Sequence, residues 1–500
     1  MPTQFLQRQC CVGSASAARV SRFGCWERAL LRSTKTKHES FRSSGSSDAL
    51  ARLLARQLGY VDPVNLIEIP GVKREKPGRP PGSRFVHFLR NLGPGLITGA
   101  ADDDPSGIST YSVAGATTGL STLWLALLTT PMMAVVQGMC ARIGMVSGTG
   151  LAAVMRKTMP RWLALSLAAL VIVANTFNIG ADFAGMSAAA HMVMGFPAIA
   201  WVVFFGALLL VSQIYFSYHV LSSILKWLTI ALFAYVITAF VVRPDWIDIL
   251  RHAFIPEFHF NGLWITTVVA ILGTTISPYL FFWQSSLMVE EEKEMGRVTV
   301  SQRKGASAAE IADAHADVNT GMIYSNLVMF FIIATTAVTL GAHGKHDIAT
   351  AQDAAEALRP LAGNFAYWLF TLGMVGTGLL AVPVLAGSSA YVAAEMMSFR
   401  EGLNEPPKRA PRFYAVLGVG IVAGVVMNVI GIDPIKALFW SAVANGVAAV
   451  PLVFAIVMIA NNRTVMGEWR SSRIATIWGW LTFALMALAA IGMFAFWNQP

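Results

Sequence analysis

Residues 93–107 read GPGLITGAADDDPSG and place three consecutive aspartates within an apolar segment. A charge at the centre of a bilayer costs at least ~2.5 kcal/mol on insertion scales, so acidic residues in a membrane segment need a reason. Pro105 follows the aspartates directly, and proline cannot supply the amide that a continuing helix needs. The stretch therefore predicts a helix that breaks at Asp104-Pro105-Ser106-Gly107 beside a buried carboxylate.

The composition is that of a membrane protein. The 500 residues are 55% hydrophobic and 13% charged, with a mean hydropathy of +0.56, whereas soluble domains carry about 25% charged residues. The four cysteines show no CxxC spacing, so neither a disulfide framework nor a structural zinc site is predicted. No nucleophile elbow, HExxH motif or phosphate loop is present, which argues against an enzyme or a resident cofactor.

The positive charge is concentrated near the amino terminus. Residues 1–90 hold sixteen Lys/Arg and six Asp/Glu, a balance of +10 against +9 for the whole chain. The remainder is close to neutral, which argues against a nucleic-acid partner. We interpret residues 1–82 as a disordered cytoplasmic tail. An organelle targeting segment and an over-extended start are the alternatives, because the opening is basic, Ser-rich and poor in acids.

Eleven apolar segments follow, each long enough to cross the ~30 Å hydrocarbon core as a helix. The predicted fold is an all-α polytopic membrane protein, with a transmembrane domain at residues 83–500 in contact with the lipid bilayer. The predicted spans are roughly 86–118, 121–145, 161–193, 198–217, 220–242, 262–289, 319–341, 363–397, 412–431, 434–460 and 473–497.

A second break is predicted in the sixth span. Residues 271–286 read ILGTTISPYLFFWQSS, where Gly273, Thr274, Ser277 and Pro278 interrupt the apolar run. Broken helices at matching positions in two repeats are typical of transporters, whose substrates bind near the bilayer midplane. Two breaks five spans apart therefore indicate a substrate site between the first and sixth spans.

Basic residues predict the orientation, because Lys and Arg accumulate in short cytoplasmic loops. They are concentrated in the loops on the side of the amino-terminal tail. The pattern predicts a multi-pass protein of the cell membrane with a cytoplasmic amino terminus. An odd number of spans then places the carboxyl terminus outside.

The motifs resemble those of the NRAMP (natural resistance-associated macrophage protein) family of divalent-metal transporters over roughly residues 90–470. The family carries Gly-Pro, nine residues and Asp-Pro-Gly-Asn in its first span; here Gly93-Pro94 precedes Asp104-Pro105-Ser106-Gly107 by the same nine residues. The sixth-span Met-Pro-His is similar to Ser277-Pro278-Tyr279. Two further segments resemble the family: Ala141-Arg142-Ile143-Gly144 and Met466-Gly467-Glu468.

This resemblance implies the amino-acid-transporter-like fold of inverted five-helix repeats. Repeat one would cover about 86–242 and repeat two about 262–460, with an extra helix at 473–497. A divalent metal would be the substrate, carried by alternating access and bound between the broken helices. The implied metal ligands are Asp104, Thr274 and Ser277, and Asp102, Asp103 and Gly107 would form a secondary metal site or cation entry.

Departures from the family pattern bear on selectivity and coupling. Gly107 stands where the family has an asparagine ligand, and Ser277 where it has a methionine; oxygen ligands suit Mg²⁺ or Mn²⁺ better than softer metals. Tyr279 stands where the family has a histidine that is linked to proton movement, so the resemblance leaves proton coupling open. We interpret Asp182, Tyr279 and Asn178 as a proton or polar path.

Another substrate for the same fold is the alternative. An organic cation, an amine or an amino acid would use the same architecture. The aspartate triplet would repel an amino-acid carboxylate, whereas an amine would favour aromatic walls such as Tyr111, Tyr279 and Phe281. The sequence gives no oligomeric state.

Overall fold

A computed structural model describes residues 94–215, 231–345, 348, 350–430 and 433–496. All regular structure in these ranges is helical, as the sequence predicts. The predicted tail at 1–82 and the start of the predicted fifth span lie outside the described residues. The described α-helices, labelled α1 to α19 in chain order, are Pro94–Asp102, Pro105–Thr118, Trp124–Ser147, Leu151–Thr158, Arg161–Met194, Ala198–Tyr215, Phe233–Val242, Trp246–Phe254, Gly262–Thr275, Pro278–Glu294, Val300–Arg303, Ala308–Thr339, Ala351–Ala355, Arg359–Ala362, Ala366–Met397, Pro411–Met427, Pro434–Ala460, Arg463–Met466 and Arg473–Ala495.

Within the described ranges, eight helical segments have the length and hydropathy needed to cross a membrane. They cover 124–147, 161–194, 198–215, 262–294, 308–343, 351–397, 434–460 and 473–495. The other three predicted spans coincide with shorter pieces: α1 with α2, α7, and α16. The count of eleven crossings stays a prediction.

Both candidate breaks are narrower than the sequence suggests. Helix α1 ends at Asp102 and α2 begins at Pro105, so Pro105, Ser106 and Gly107 form the first turn of α2. Proline fits there because the first amides of a helix have no partner within the helix. Likewise α9 ends at Thr275 and α10 begins at Pro278. Gly273, which we expected to interrupt its span, lies inside α9.

Glycines allow the broken helices to approach their neighbours closely. A Cβ atom on Gly99 of α1 would lie 2.3 Å from the carbonyl oxygen of Gly321 on α12, and one on Gly273 would lie 2.0 Å from that of Ala442 on α17. Real Cβ atoms do not approach a backbone so closely, so only glycine fits either position. Helix α12 thus packs closely against the helix that ends at the first break, and α17 against the helix that ends at the second.

The core around the breaks is built from long helices. Helix α5 packs along α15 and α17, while α12 packs along α1, α2 and α3. Most residues of α10 and α15 are buried, and they include both apolar and polar side chains. By contrast α19 exposes much of its surface. Its exposed side chains include the apolar Ile474, Ile477, Leu488 and Ile491, as expected of a helix that faces lipid.

Candidate functional site

Asp104 closes the amino-terminal end of α2. Its backbone is extended, with φ −68° and ψ 173°, and its carboxylate caps the helix. Oδ1 accepts hydrogen bonds from the Gly107 amide and the Ser106 hydroxyl, each at 2.7 Å. This side chain is only 1% exposed. A capping carboxylate at a helix amino terminus is favoured by both the free amides and the helix dipole, so these contacts hold the Asp104 side chain in place.

Helix α5 contributes the next contact. Asn178 Nδ2 donates to Asp104 Oδ2 at 3.1 Å. The other asparagine on this helix, Asn175, points elsewhere and donates to the Ser389 hydroxyl of α15 at 3.0 Å. Of the two, the structure brings only Asn178 to the break. Asp104 therefore accepts three hydrogen bonds and keeps free acceptor capacity mainly on Oδ2.

The second break presents hydroxyl and carbonyl oxygens. Ser277 Oγ donates back to the carbonyl oxygens of Thr274 and Gly273, at 2.6 Å and 3.1 Å. It thereby covers carbonyls that the end of α9 would leave without partners. The Thr274 hydroxyl is buried and has no hydrogen-bond partner among the described residues. The Thr274 carbonyl and both hydroxyls can each offer a lone pair to a cation.

The two breaks lie against each other. A Cβ atom on Gly107 would lie 3.2 Å from Thr274 Oγ1 and 3.3 Å from the carbonyl oxygen of Asp102. Tyr279 Oη donates to the Ala101 carbonyl at 2.8 Å, which ties the start of α10 to the end of α1. Position 107 thus has little room for a side chain. A larger residue there would have to displace Thr274 or the Asp102 carbonyl by a few tenths of an ångström.

The aspartate triplet divides between two neighbours. The Ser325 hydroxyl of α12 lies 2.7 Å from Asp102 Oδ2 and 3.2 Å from Asp103 Oδ1, whereas Asp104 bonds to α2 and α5. One hydroxyl has one proton to donate, so it cannot satisfy both carboxylates. The remaining oxygens, Asp102 Oδ1 and Asp103 Oδ2, have no partner among the described residues, and both side chains are fully buried.

Asp182 is a further buried carboxylate on α5, one turn beyond Asn178. It has 0% exposure, and neither oxygen has a hydrogen-bond partner among the described residues. Ile179, one residue after Asn178, packs against α16 at Gly424 instead. Asn178, Asp182 and Tyr279 therefore surround the break without forming a continuous hydrogen-bonded chain among the described contacts.

The chemistry of the site is that of a cation acceptor built mainly from oxygen. No group of three or more His, Cys, Asp or Glu side chains in the described part of the chain is arranged to hold a metal ion. A metal here would instead use one carboxylate together with hydroxyl and carbonyl oxygens, which are donors that hard cations accept. The sequence does not point to Ser325, which belongs to no motif, and it gives the Ser106 hydroxyl no role although Ser106 lies within the first break. Their side chains are recognised only once the helices are packed.

Comparisons with known proteins agree with these features. The model of the family described as "Natural resistance-associated macrophage protein-like" matches residues 95–495. A divalent metal cation transporter MntH from Caldanaerobacter subterraneus is 25% identical over 416 residues, covering 81% of this chain and 93% of that protein. MntH from Bacillus subtilis is 24% identical, covering 80% and 91%. Both are named as transporters, not enzymes.

Solved structures give the same result for the fold. The Eremococcus coleocola manganese transporter superposes with a TM-score of 0.65 at 18% identity, over 83% of this chain and 88% of that one. A nucleobase-cation-symport-1 family transporter, Mhp1, has a TM-score of 0.50 at 15% identity, over 80% and 90%. The all-helical transporter fold is thus shared beyond one family. Because the family model covers most of the chain, this multi-pass membrane protein belongs to the natural resistance-associated macrophage protein-like family.

Proposed function

We propose that this chain is a secondary transporter of a divalent metal cation, with Mn²⁺ or Mg²⁺ as the favoured substrate. The named function of the MntH relatives and of the manganese transporter supports the divalent cation. The observation that carries the proposal for this chain is Asp104, a buried carboxylate fixed where α1 stops and α2 starts. Its neighbours from the second break are Thr274 and Ser277.

Helix ends add to the attraction for a cation. Helices α1 and α9 both end at the site, and the last carbonyls of a helix carry a partial negative charge. The amino-terminal end of α2 would repel a cation, but the Asp104 cap neutralises it. Asp104 as the anionic ligand, with Thr274 and Ser277 as oxygen ligands, forms the substrate site.

Metal selectivity follows from the donor atoms. Ser277 replaces a thioether with a hydroxyl, and Gly107 replaces an amide side chain with nothing. Fewer protein ligands leave room for water on the ion, which suits Mg²⁺ because it dehydrates reluctantly. Manganese accepts the same oxygen donors. Asp102 and Asp103 directly precede Asp104 and share the Ser325 hydroxyl. They add negative potential beside the site and serve as a cation entry point.

Transport requires the two faces of the membrane to open in turn. A network on the face that the charge pattern predicts to be cytoplasmic joins α4 to α10 and α15. Glu395 accepts the Ala153 amide and the Ser286 hydroxyl, each at 2.9 Å, and the Leu151 amide donates to Ser285 Oγ at 2.7 Å. With ten of eleven spans in two inverted repeats, this network closes the cytoplasmic face and breaks when the site opens inward.

Proton coupling depends on groups that exchange protons near neutral pH. The position of the family histidine is Tyr279, whose hydroxyl is engaged by the Ala101 carbonyl. A phenol does not exchange its proton in the range where imidazole does. The substitution favours metal transport without obligatory proton movement.

Uptake into proteoliposomes that contain a pH-sensitive dye tests both parts of the proposal. The full chain should take up Mn²⁺ and Mg²⁺ faster than Cd²⁺, without matching acidification of the lumen. Protein-free vesicles give the leak. Failure to move any divalent cation above that leak would contradict the function, and metal-driven acidification would contradict only uncoupled transport. An organic amine that binds in calorimetric titration while metals do not would favour the other substrate class.

A further inference from the structure

The proposed ligands carry less negative charge than a divalent cation needs for neutralisation. Asp104 is the only carboxylate among the three proposed ligands, because Thr274 and Ser277 offer neutral oxygens. Its three hydrogen bonds already engage both oxygens. It can offer a single negative charge and little more than one lone pair on Oδ2. Asp102 and Asp103 share the Ser325 hydroxyl on α12, so a second anion on the α5 side, next to Oδ2, is needed to neutralise an ion bound there.

Asp182 has the properties of that anion. The side chain is fully buried on α5, and neither carboxylate oxygen has a hydrogen-bond partner among the described residues. The Ser106 amide lies close enough to favour its charged form without meeting the geometry of a hydrogen bond, whereas the Asp104 carboxylate disfavours that form. A buried carboxylate with no partner costs several kcal/mol unless it is neutralised. A bound divalent cation would supply that neutralisation.

Helix geometry directs Asp182 toward the break. Asn178 and Asp182 are four residues apart on α5, so they lie on the same face. Asn178 contacts Asp104 Oδ2 at 3.1 Å, which shows that this face is turned to the break. The Ser106 amide belongs to the first turn of α2, directly after Asp104. Asp182 therefore lies on the face of α5 that is turned to Asp104.

We infer that Asp182 is the second anionic group of the substrate site and that it neutralises the remaining charge of a divalent cation held at Asp104. This inference rests on the proposed function. It assigns the group a role in binding the metal rather than in passing protons. The competing explanation is structural: the positive amino-terminal end of α2 would stabilise Asp182 as it stabilises Asp104.

Thermal unfolding and calorimetry of the purified full chain separate the two explanations. In Asp182→Asn, the melting temperature without metal should not fall, because the carboxyl oxygens have no hydrogen-bond partner among the described residues to lose. The stabilisation produced by Mn²⁺ should shrink, and the Kd for Mn²⁺ should increase about 30-fold. Asp182→Glu keeps the charge and should restore most of the affinity. Asp248→Asn, an exposed carboxylate on α8, should behave as the parent.

Each outcome decides. If Asp182→Asn binds Mn²⁺ as the parent does, the inference is wrong. A different outcome is that Asp182→Asn melts lower than the parent without metal, or fails to fold. If Asp182→Glu then also binds Mn²⁺ weakly, Asp182 has a structural role at α2 and the inference is again wrong. A parent chain that binds neither Mn²⁺ nor Mg²⁺ contradicts the proposed function instead, whatever the variants do.

Discussion

Asp104→Ala should reduce Mn²⁺ and Mg²⁺ uptake by about 100-fold or more, because it removes the anionic ligand from a desolvated site, where losing a charge partner costs ~2–5 kcal/mol. Uptake is measured in proteoliposomes at matched protein content. The alanine also removes a helix cap, at a cost of ~0.5–2 kcal/mol, since Gly107 and Ser106 both donate to this carboxylate. Loss of folding must therefore be separated from loss of binding.

Asp104→Asn makes that separation. An amide oxygen can still accept from the Gly107 amide, so the cap is retained. Its NH₂ group would face the NH₂ of Asn178, but Asn178 Oδ1 has no partner among the described residues, so that amide can turn over and accept. We expect Asp104→Asn to melt near the parent temperature and to transport as poorly as Asp104→Ala. Parent-like transport by either variant would show that Asp104 is not a ligand of the transported metal.

Ser277→Met should raise uptake of Cd²⁺ relative to Mg²⁺ by about tenfold, because a thioether favours soft metals over hard ones. The substitution also frees the Thr274 carbonyl from the hydroxyl that now bonds to it at 2.6 Å. Competition between the two ions in one uptake assay gives the ratio directly.

Ser277→Ala is the matched control for this change. It removes the same hydroxyl and frees the same carbonyl without adding sulfur. The alanine variant should keep the parent ratio of Cd²⁺ to Mg²⁺ uptake, although its absolute rates change. Equal ratios in the methionine and alanine variants would show that ligand softness does not set selectivity here.

Much of the fold follows from the sequence because membrane helices obey strong constraints. Long apolar segments must be helical in lipid, where every backbone group needs a partner within the chain. The all-helical fold and the family resemblance are confirmed on that basis. Boundaries are weaker, since capping decides them: Pro105 and Pro278 start helices rather than lying inside gaps. The number of crossings stays a prediction, because α1, α2, α7 and α16 are short.

The site could be predicted only where a motif marks it. Asp104 and Thr274 stand out because a broken helix has a sequence signature. Ser325 carries no signature, and its place beside Asp102 depends on the packing of α1 against α12, which Gly99 permits. Similarly, the sequence does not show that Asn178 reaches Asp104 while Asn175 reaches α15. Such pairings depend on how far each helix is rotated.

Anomalous scattering from Mn²⁺ in crystals of the full chain tests the central claim most directly, because it locates the ion without reference to activity. A peak within coordination distance of Asp104 Oδ2 and the Thr274 carbonyl oxygen is the expected result. That peak should disappear in crystals of Asp104→Asn. An ion bound only at Asp102 and Asp103, or a Mn²⁺ peak that persists between the two helix breaks without the Asp104 carboxylate, would contradict the account.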